Sequence, residues 1–389
     1  MTAKRVPPEP ASISRRNLMA TTIAAGTTLS AEHSAAAPGA SKRRMKMLMY
    51  RALAMQIECR PINASRDKAA ARTMMRECLD RLTIQVKAAP ISTGPDVKLV
   101  VLPEYFMTGF PMGMPIGKWA DWAAVDLNGP EYERLAGIAQ DNGIYLCGNA
   151  YERDVNFPGI FFQACFIFDP AGKHILRYRR LTSMFSPTPH DYWDKYLDLY
   201  GMDGVFPVAR TPIGNLAAIA SEEIQYPELA RCFALRGAEV FLHPSAEPLL
   251  TGLTPKDIAK RARALENLAY VISANVAGHR DIPFLTNTCD GLSKIIDYQG
   301  RVLAEAGQGE TVTAAADINI TALRRYRNQQ HINNFLPRLR MELYTDIYAR
   351  KDFYPPNTLL TEEPTPEHFG RVQAGVIDRL RKLGVIEKE

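Results

Sequence analysis

The sequence predicts an α/β fold in which strands and helices alternate along one large domain. Short, continuous apolar runs such as Leu99-Val100-Val101-Leu102 are typical of strands buried on both faces. Segments with apolar residues at helical spacing lie between these runs. No break rich in glycine, serine or proline divides residues 48–325. Alternation of this kind within one uninterrupted region indicates helices layered on sheets.

The predicted helices are recognised by apolar spacing and by the residues at their ends. The first, over residues 65–88, has apolar or small residues spaced for one face: Ala69, Met74, Cys78, Leu82 and Val86. A later helix begins at Pro227 and ends at Gly237, the residues favoured at those two positions. Further helices are predicted over residues 132–142, 257–268, 339–348 and 369–383.

The predicted strands are short apolar or alternating runs. They cover residues 51–57, 98–102, 144–151, 161–168, 175–180, 216–220, 240–242 and 270–275. The turn Asp169-Pro170-Ala171-Gly172 joins the fourth strand to the fifth, and Pro103-Glu104 ends the second. We expect residues 326–389, which are rich in Arg, Tyr, Asn and Pro, to form an extension that packs on the core or on a partner subunit.

Residues 1–40 predict a twin-arginine export signal. Ser14-Arg15-Arg16-Asn17-Leu18-Met19 places two adjacent arginines before an apolar, small-residue run that ends near Ala31. Alanines between Ala35 and Ala40 offer cleavage sites, and this order of features is typical of exported proteins. The apolar run is shorter than the roughly 18 residues of a membrane span. We therefore expect a periplasmic or secreted protein with no stable membrane anchor.

Composition excludes several classes of protein. Of 389 residues, 46% are hydrophobic and 23% are charged, as in soluble globular proteins rather than disordered or collagen-like chains. The net charge of +5 is too mild to indicate nucleic-acid binding. The six cysteines form no CxxC pair and no zinc-ligand spacing with histidine. We expect no metal site.

Three segments at predicted strand ends carry a family resemblance. They are Pro103-Glu104-Tyr105, Arg179-Arg180-Leu181, and Ser221-Glu222-Glu223 with Tyr226-Pro227-Glu228. The order continues through Arg236-Gly237-Ala238-Glu239, His243-Pro244-Ser245, Arg263-Ala264-Leu265-Glu266-Asn267, Gly291-Leu292-Ser293 and Asp297-Tyr298-Gln299-Gly300. Together, over about residues 48–325, these motifs resemble the nitrilase superfamily of carbon–nitrogen hydrolases.

The resemblance implies a four-layer αββα sandwich that is usually paired across a subunit interface, with no cofactor. The family uses a Glu as general base, a Lys that stabilises negative charge and a Cys nucleophile that forms a covalent intermediate. Glu104 matches the base. Arg180 stands at the Lys position and Ser221 at the Cys position. Beside them, Tyr105 and the backbone N–H of Glu222 are implied to bind substrate.

The two departures change the chemistry. A serine hydroxyl is much less acidic than a thiol, so Ser221 needs a base during attack, and Glu104 is the expected one. Arg180 keeps the positive charge but is longer and planar, and it would pair with Glu104. We interpret Cys59, Cys78, Cys147, Cys165, Cys232 and Cys289 as small core residues rather than replacement nucleophiles.

Several alternatives stay open at this point. Ser221 is either a working nucleophile of an amidase or nitrilase-like hydrolase, or a relic in a homologue that only binds ligand or assembles. Acyl transfer to an amine is a third possibility. His190 is an alternative base for Ser221. A second site carboxylate would come from one of four candidates: Asp191, Asp194, Asp198 and Asp203.

Overall fold

The structure, a computed structural model, describes residues 47–247, 253–281, 291–310 and 313–387. The predicted export signal and Cys289 lie outside these residues. The strands are β1 Met49–Ala54, β2 Val97–Val101, β3 Tyr145–Glu152, β4 Phe162–Phe168, β5 His174–Arg179, β6 Ala209–Thr211, β7 Gly214–Ala218, β8 Val240–Ser245, β9 Tyr270–Asn275, β10 Lys294–Ile296, β11 Val302–Glu305 and β12 Ala314–Asn319. The helices are α1 Lys68–Thr93, α2 Ile116–Ala123, α3 Pro130–Asn142, α4 Trp193–Val205, α5 Pro227–Leu235, α6 Pro255–Asn267, α7 Ile320–Arg327, α8 Thr345–Tyr348 and α9 Pro366–Lys382.

The strands form two mixed sheets. The first has the order β12-β1-β2-β3-β4-β5, and the second has the order β11-β10-β9-β8-β7-β6. The central strands β1, β2 and β3 are parallel, as are β7, β8 and β9. The outer strands pair antiparallel with their neighbours. The centre of each sheet is therefore parallel, so its strands end at one common edge.

Side chains of β2 show how the layers are built. Leu99 and Val101 point into an apolar core that the two sheets share, whereas Val100 joins a second core with helices α1, α2 and α3. On the far side, Phe233 of α5 and Ala264 of α6 pack against the second sheet. Both faces of each sheet are thus covered. The predicted α/β fold is confirmed, and its layers run helix, sheet, sheet, helix.

The helix ends follow from local chemistry. Asp67 precedes α1 and its side chain accepts a hydrogen bond from the backbone N–H of Ala70 at 2.8 Å. Thr254 does the same for Asp257 at 3.1 Å, with Pro255 in the first position of α6. Helix α6 therefore begins two residues before the predicted start, and this shift includes Lys256 in its first turn.

The end of the chain packs against the region around Asp191. The backbone N–H of Leu359 donates to the Asp191 carbonyl at 3.0 Å, and that of Asn357 donates to the His190 carbonyl at 2.9 Å. Leu359 and Phe369 are buried in the core shared with α1 to α3. Within the described residues, this extension is attached to the wall of the domain by both backbone and apolar contacts.

The prediction of a helix over residues 339–348 is wrong. The chain there forms a 3-10 turn, Met341–Leu343, and the four-residue helix α8. All of these side chains are exposed, so no apolar face stabilises a longer helix. Helices α2, α4 and α7 and the strands β6, β10, β11 and β12 were not predicted. The strand propensity of short segments such as β6 and β10 depends on their neighbours more than on their own sequence pattern.

Candidate active site

The predicted site residues lie where strands of the two sheets end. Glu104 follows β2 of the first sheet, and Ser221 follows β7 of the second. Ser245 is the last residue of β8, next to β7. Its carbonyl accepts a hydrogen bond from the backbone N–H of Glu104 at 3.2 Å, which joins the two sheets at this edge. Arg180 follows β5 and completes the group.

Glu104 is 1% exposed. One carboxylate oxygen, Oε1, accepts a hydrogen bond from Gln163 Nε2 at 2.5 Å and lies 3.7 Å from Arg180 Nη1. The other oxygen, Oε2, is buried and forms no hydrogen bond of normal geometry with a described residue. A buried carboxylate in which one oxygen lacks such a bond is suited to take a proton from a substrate or a water molecule.

Arg180 is held by contacts on every side of its guanidinium group. Its Nε donates to the Thr182 carbonyl at 2.6 Å, and Nη1 donates to Gln163 Oε1 at 2.9 Å. Nη2 forms an ion pair with Glu222. Burial alone lowers the pKa of Arg180, but the surrounding negative charges raise it above its ordinary value. Arg180 is therefore a permanent cation between Glu104 and Glu222.

Ser221 occupies a sharp turn. Its φ of 46° lies in the left-handed region, which costs a non-glycine residue about 1–3 kcal/mol. The turn opens a 3-10 helix, Ser221–Gln225, and leaves the side chain 4% exposed. Backbone strain of this kind persists only where the surrounding structure holds it, and it is common at active sites.

A histidine of β8 holds that turn from behind. His243 Nε2 lies 2.8 Å from the Ser221 carbonyl, and Nδ1 lies 2.8 Å from Ser273 Oγ. Burial lowers the pKa of His243 to about 3, so the ring is neutral near pH 7. A carbonyl can only accept, so Nε2 carries the proton and Nδ1 accepts from the Ser273 hydroxyl.

The hydrogen-bond partner of the Ser221 hydroxyl is Lys256, which sequence reasoning missed. Lys256 Nζ lies 3.0 Å from Ser221 Oγ and 3.5 Å from Ser245 Oγ. The structure thus places a lysine, rather than Glu104 or His190, at this hydroxyl. The signal in the sequence was Thr254-Pro255, an N-cap followed by a first-turn proline. That pair places Lys256 at the exposed start of a helix but does not reveal what it faces.

Glu223 ties the Ser221 turn to the Arg180 segment. Its Oε1 accepts hydrogen bonds from the backbone N–H groups of Leu181 and Thr182 at 2.8 and 3.0 Å. Its Oε2 accepts one from the Tyr178 hydroxyl at 2.6 Å. Burial raises the pKa of Glu223 to about 7, although Arg180 and these donors lower it. Sequence reasoning treated Glu223 only as a landmark of the motif.

A cavity of about 470 Å³ opens beside Arg180. Its wall combines the polar groups of Arg180 and Gln163 with mostly apolar side chains. Those apolar side chains are Tyr105, Phe110, Pro111, Met112, Met114, Ile116, Tyr151, Phe185, Ala246 and Pro366. Glu104 and Ser221 do not line the cavity. Glu104 contacts the lining residue Gln163, and Glu222, the residue after Ser221, forms an ion pair with the lining residue Arg180.

The two predicted substrate-binding residues have different positions. Tyr105 lines the cavity, stacks on Tyr151 with ring centroids 5.8 Å apart, and has a φ of 59°. Burial, together with the charge of Glu104, raises the pKa of Tyr105 far above its ordinary value. The Glu222 side chain is instead one-third exposed and bound to Arg180. Only its backbone N–H, next to Ser221, stays a candidate for substrate contact.

The other candidates have structural surroundings. Asp191 accepts hydrogen bonds from the backbone and hydroxyl of Thr188, at 2.9 and 2.7 Å, in a capping arrangement. Asp203 pairs with Arg236. His190 packs against Trp193, with ring centroids 5.6 Å apart. Among the contacts described for these residues and for Asp194 and Asp198, none reaches Glu104, Arg180 or Ser221. The carboxylates around Arg180 are Glu104, Glu222 and Glu223.

Four of the described cysteines are unsuited to replace Ser221. Cys78, Cys147 and Cys165 are buried, and burial raises the pKa of each thiol, to about 11 for Cys78. Burial also raises the pKa of Cys232 within α5. The described residues include no group of three or more His, Cys, Asp or Glu placed to hold a metal ion. In the same part of the chain, no helix combines the length and apolar character that crossing a membrane requires.

Sequence comparison finds amidase relatives. A family model described as carbon-nitrogen hydrolase matches residues 60–328. A Pseudomonas protegens protein, described as a hydrolase in the pqqF 5' region, is 32% identical over 257 residues, or 66% of this chain and 82% of that protein. Omega-amidase NIT2 of Xenopus tropicalis is 28% identical over 232 residues, which are 60% of this chain and 80% of the relative.

Solved structures share the fold. Nit3 of Saccharomyces cerevisiae, a member of branch 10 of the nitrilase superfamily, superposes with a TM-score of 0.56 at 23% identity, covering 72% of this chain and 93% of Nit3. A carbon–nitrogen hydrolase of Helicobacter pylori superposes with a TM-score of 0.60 at 20% identity, covering 78% and 99%. Similarity at this level of identity concerns the architecture alone.

Proposed function

Because this chain belongs to the carbon–nitrogen hydrolase family, we propose that it hydrolyses a small amide or nitrile through a covalent acyl-enzyme on Ser221. The observation that carries the proposal is the position of Arg180. Arg180 lines the cavity, and its guanidinium group contacts Glu104 and pairs with Glu222, the residue after Ser221. A fixed cation beside a strained serine and a buried carboxylate is an arrangement for acyl transfer.

Each residue has one role in this proposal. Ser221 Oγ attacks the substrate carbon. Arg180, with the backbone N–H of Glu222, stabilises the negative charge that develops on the carbonyl oxygen. Tyr105 packs against the acyl group in the cavity. Glu104 activates the water that hydrolyses the acyl-enzyme, since its Oε2 forms no hydrogen bond of normal geometry with a described residue.

The cavity supports a small, neutral acyl group as the substrate class. Its wall is mostly apolar, and Arg180, the one permanent cation among its described lining residues, is already paired with carboxylates. Burial lowers the pKa of His279, which also lines the wall, to about 4, so this ring adds no charge near pH 7. An anionic acyl group would therefore enter without a free partner of opposite charge.

An amide panel with intact-mass analysis tests the function. The purified protein is incubated with short aliphatic amides and nitriles, and ammonia release is measured. Intact-mass spectrometry then shows whether an acyl group is attached to the protein. We expect turnover, and an acyl adduct on Ser221 that Ser221→Ala abolishes. If the parent shows neither turnover nor adduct, while Ser221→Cys combined with Arg180→Lys gains activity, the protein is a ligand-binding homologue and the proposal fails.

We also propose export by the twin-arginine route. The support is the sequence of residues 1–40, which lie outside the described residues. Fractionation of cells that express the full chain tests this directly. The protein should appear in the periplasm or medium, and the double substitution Arg15→Lys with Arg16→Lys should retain it in the cytoplasm. If the parent and the double variant are found in the same cell fractions, the export proposal is wrong.

A second copy of this chain is the proposed partner. Large apolar side chains are exposed in and near α8, including Leu343, Ile347 and Tyr348 at 62–64%. The Tyr348 hydroxyl donates to Glu228 Oε1 of α5 at 2.7 Å, so this surface continues onto the helix that follows Ser221. Exposed apolar clusters of this kind are typical of protein interfaces.

A further inference from the structure

The hydroxyl of Ser221 has a specific partner that the family resemblance does not supply. We propose that Lys256 is the general base for Ser221, so that the two residues form a serine–lysine catalytic pair. The proposal rests on the assigned role of Ser221 as nucleophile. Its central observation is the 3.0 Å contact between Lys256 Nζ and Ser221 Oγ, a distance suited to direct proton transfer.

The surroundings of the amine fit a base. Among the described residues, no carboxylate lies within 4.0 Å of Lys256 Nζ, and its hydrogen-bond partners are the hydroxyls of Ser221 and Ser245. Segment 248–252, which precedes α6 and lies outside the described residues, contains no acidic residue in its sequence. An amine held by two hydroxyls can accept a proton from one while it donates to the other.

The hydroxyl of Ser245 gives Lys256 an acceptor besides Ser221. The Ser245 hydroxyl donates to Glu247 Oε1 at 2.7 Å, so its oxygen is free to accept a hydrogen from Lys256. In the proposed step, the Lys256 amine accepts the proton of the Ser221 hydroxyl across the 3.0 Å contact. Glu247 Oε1 lies 2.6 Å from Lys260 Nζ, and against the effect of burial the charges of Lys260 and Lys256 lower the pKa of Glu247. The direct ion pair of Glu247 is therefore with Lys260 rather than with Lys256.

Glu104 is placed for a different step. Its Oε1 is bound to Gln163 and lies near Arg180, and no contact between Glu104 and Ser221 is found among the described residues. With Lys256 at the hydroxyl, Glu104 is left to act on the hydrolytic water. In the family, one carboxylate takes the proton of the thiol and later activates the water. Here Lys256 would perform the first step and Glu104 the second.

Acylation of Ser221 moves one proton through Lys256 to the leaving group. Oγ of Ser221 forms a bond to the amide carbon, and its proton passes to Lys256 Nζ while the C=O electron pair moves to the oxygen near Arg180. When the C=O bond re-forms, the C–N bond breaks, and the departing nitrogen takes the proton from Lys256. Ammonia or an amine leaves, and an ester remains on Ser221. Water then releases the acid, with Glu104 as its base.

A serine-directed fluorophosphonate tests Lys256 without any amide substrate. The reagent forms an Oγ–P bond at Ser221 and releases fluoride, and intact mass records the rate of labelling. We expect Lys256→Met to slow labelling by at least about 100-fold, the usual contribution of a general base. Lys256→Arg should slow labelling by the same factor, since a guanidinium group keeps the charge but does not accept the proton. Lys87→Met, at an exposed lysine of α1, is the control and should label at the parent rate.

Two further measurements separate catalysis from folding. In Lys256→Ala, added methylamine should restore part of the labelling rate, in proportion to its free-base concentration. Ser221→Cys combined with Lys256→Met should still react with iodoacetamide, because a thiol ionises without a strong base. Labelling of Lys256→Met or Lys256→Arg within about threefold of the parent rate overturns the proposal, as does a parent protein with no label at Ser221. Labelling without amide turnover would refute the proposed hydrolase function and leave the serine–lysine pair standing.

Discussion

Glu223 Oε1 accepts a hydrogen bond from the backbone N–H of Leu181 at 2.8 Å. Leu181 follows Arg180, and Glu223 stands two residues after Ser221, so this contact sets the spacing between the cation and the nucleophile turn. The same carboxylate also binds Thr182 and Tyr178. A buried carboxylate that accepts several hydrogen bonds from another chain segment fixes the position of that segment relative to its own.

Glu223→Gln should change how stability depends on pH. Burial raises the pKa of Glu223 from 4.5 to about 7. Between these values the folded state keeps a proton that the unfolded chain releases, so the stability that this group contributes is complete below pH 4.5 and is lost as the pH rises to 7. As the pH rises from 4.5 to 7.5, the free energy of unfolding of Glu223→Gln should therefore increase relative to that of the parent, by up to about 3 kcal/mol.

Urea unfolding at the two pH values measures this difference. Glu133→Gln, at an exposed carboxyl of α3, is the matched control and should follow the parent. If the free energies of unfolding of Glu223→Gln and the parent change with pH in the same way, Glu223 does not titrate in this range and the prediction is wrong.

Arg180→Lys should reduce kcat for amide hydrolysis by about 10²–10³-fold with little change in KM, because charge stabilisation acts mainly in the transition state. Lysine reaches one acceptor as a point charge, whereas Arg180 joins Gln163, Thr182 and Glu222 at once. Steady-state kinetics provide the test. Arg210→Lys, an exposed arginine of β6, serves as the control. An unchanged kcat in Arg180→Lys would exclude Arg180 from the oxyanion site.

Substrate preference should follow acyl length. The cavity of about 470 Å³ is mostly apolar, and each buried methylene is worth about 0.8 kcal/mol, or roughly fourfold in kcat/KM. We expect kcat/KM for neutral aliphatic amides to rise with chain length until the cavity is full. Amides of equal length that end in a carboxylate should react more slowly. A preference for the carboxylate series would contradict the assigned substrate class.

Thr358→Val should loosen one wall of the cavity. The Thr358 hydroxyl donates to Asp191 Oδ1 at 2.6 Å, and Asp191 holds the segment that follows the wall residues Ser183 and Ser186. Loss of this bond to a buried carboxylate should cost about 1–3 kcal/mol of stability and raise KM more than it lowers kcat. Thermal unfolding and steady-state kinetics measure both effects. Thr345→Val, at the exposed start of α8, is the control, and equal effects of the two variants would contradict the assigned role of Thr358.

Ile347→Asp should weaken the proposed dimer, because it places a charge on an apolar surface that the second copy covers. Sedimentation across a range of protein concentrations should show the parent as a dimer and this variant shifted toward monomer. Val155→Asp changes a residue that is 94% exposed elsewhere, and should sediment like the parent. A monomeric parent would rule out the dimer.

Sequence patterns were informative where local chemistry is strong. The run at residues 98–102 indicated a strand buried on both faces, and Leu99 and Val100 do point into different cores. The segment at 339–348 misled because apolar residues without a surface to cover do not stabilise a helix. Glu223 and Lys256 gave no signal of their partners, since those lie on elements that are distant along the chain.

The order of residues alone was sufficient to predict the alternating strands and helices, the family, and the serine and arginine at two important positions. These are local or motif properties, readable from periodicity and neighbouring residues. Which base serves Ser221 depends on how the start of α6 packs beside the end of β7. Hydrogen bonds such as that from Lys256 form between segments brought together by burial of the cores, so only the folded chain reveals them.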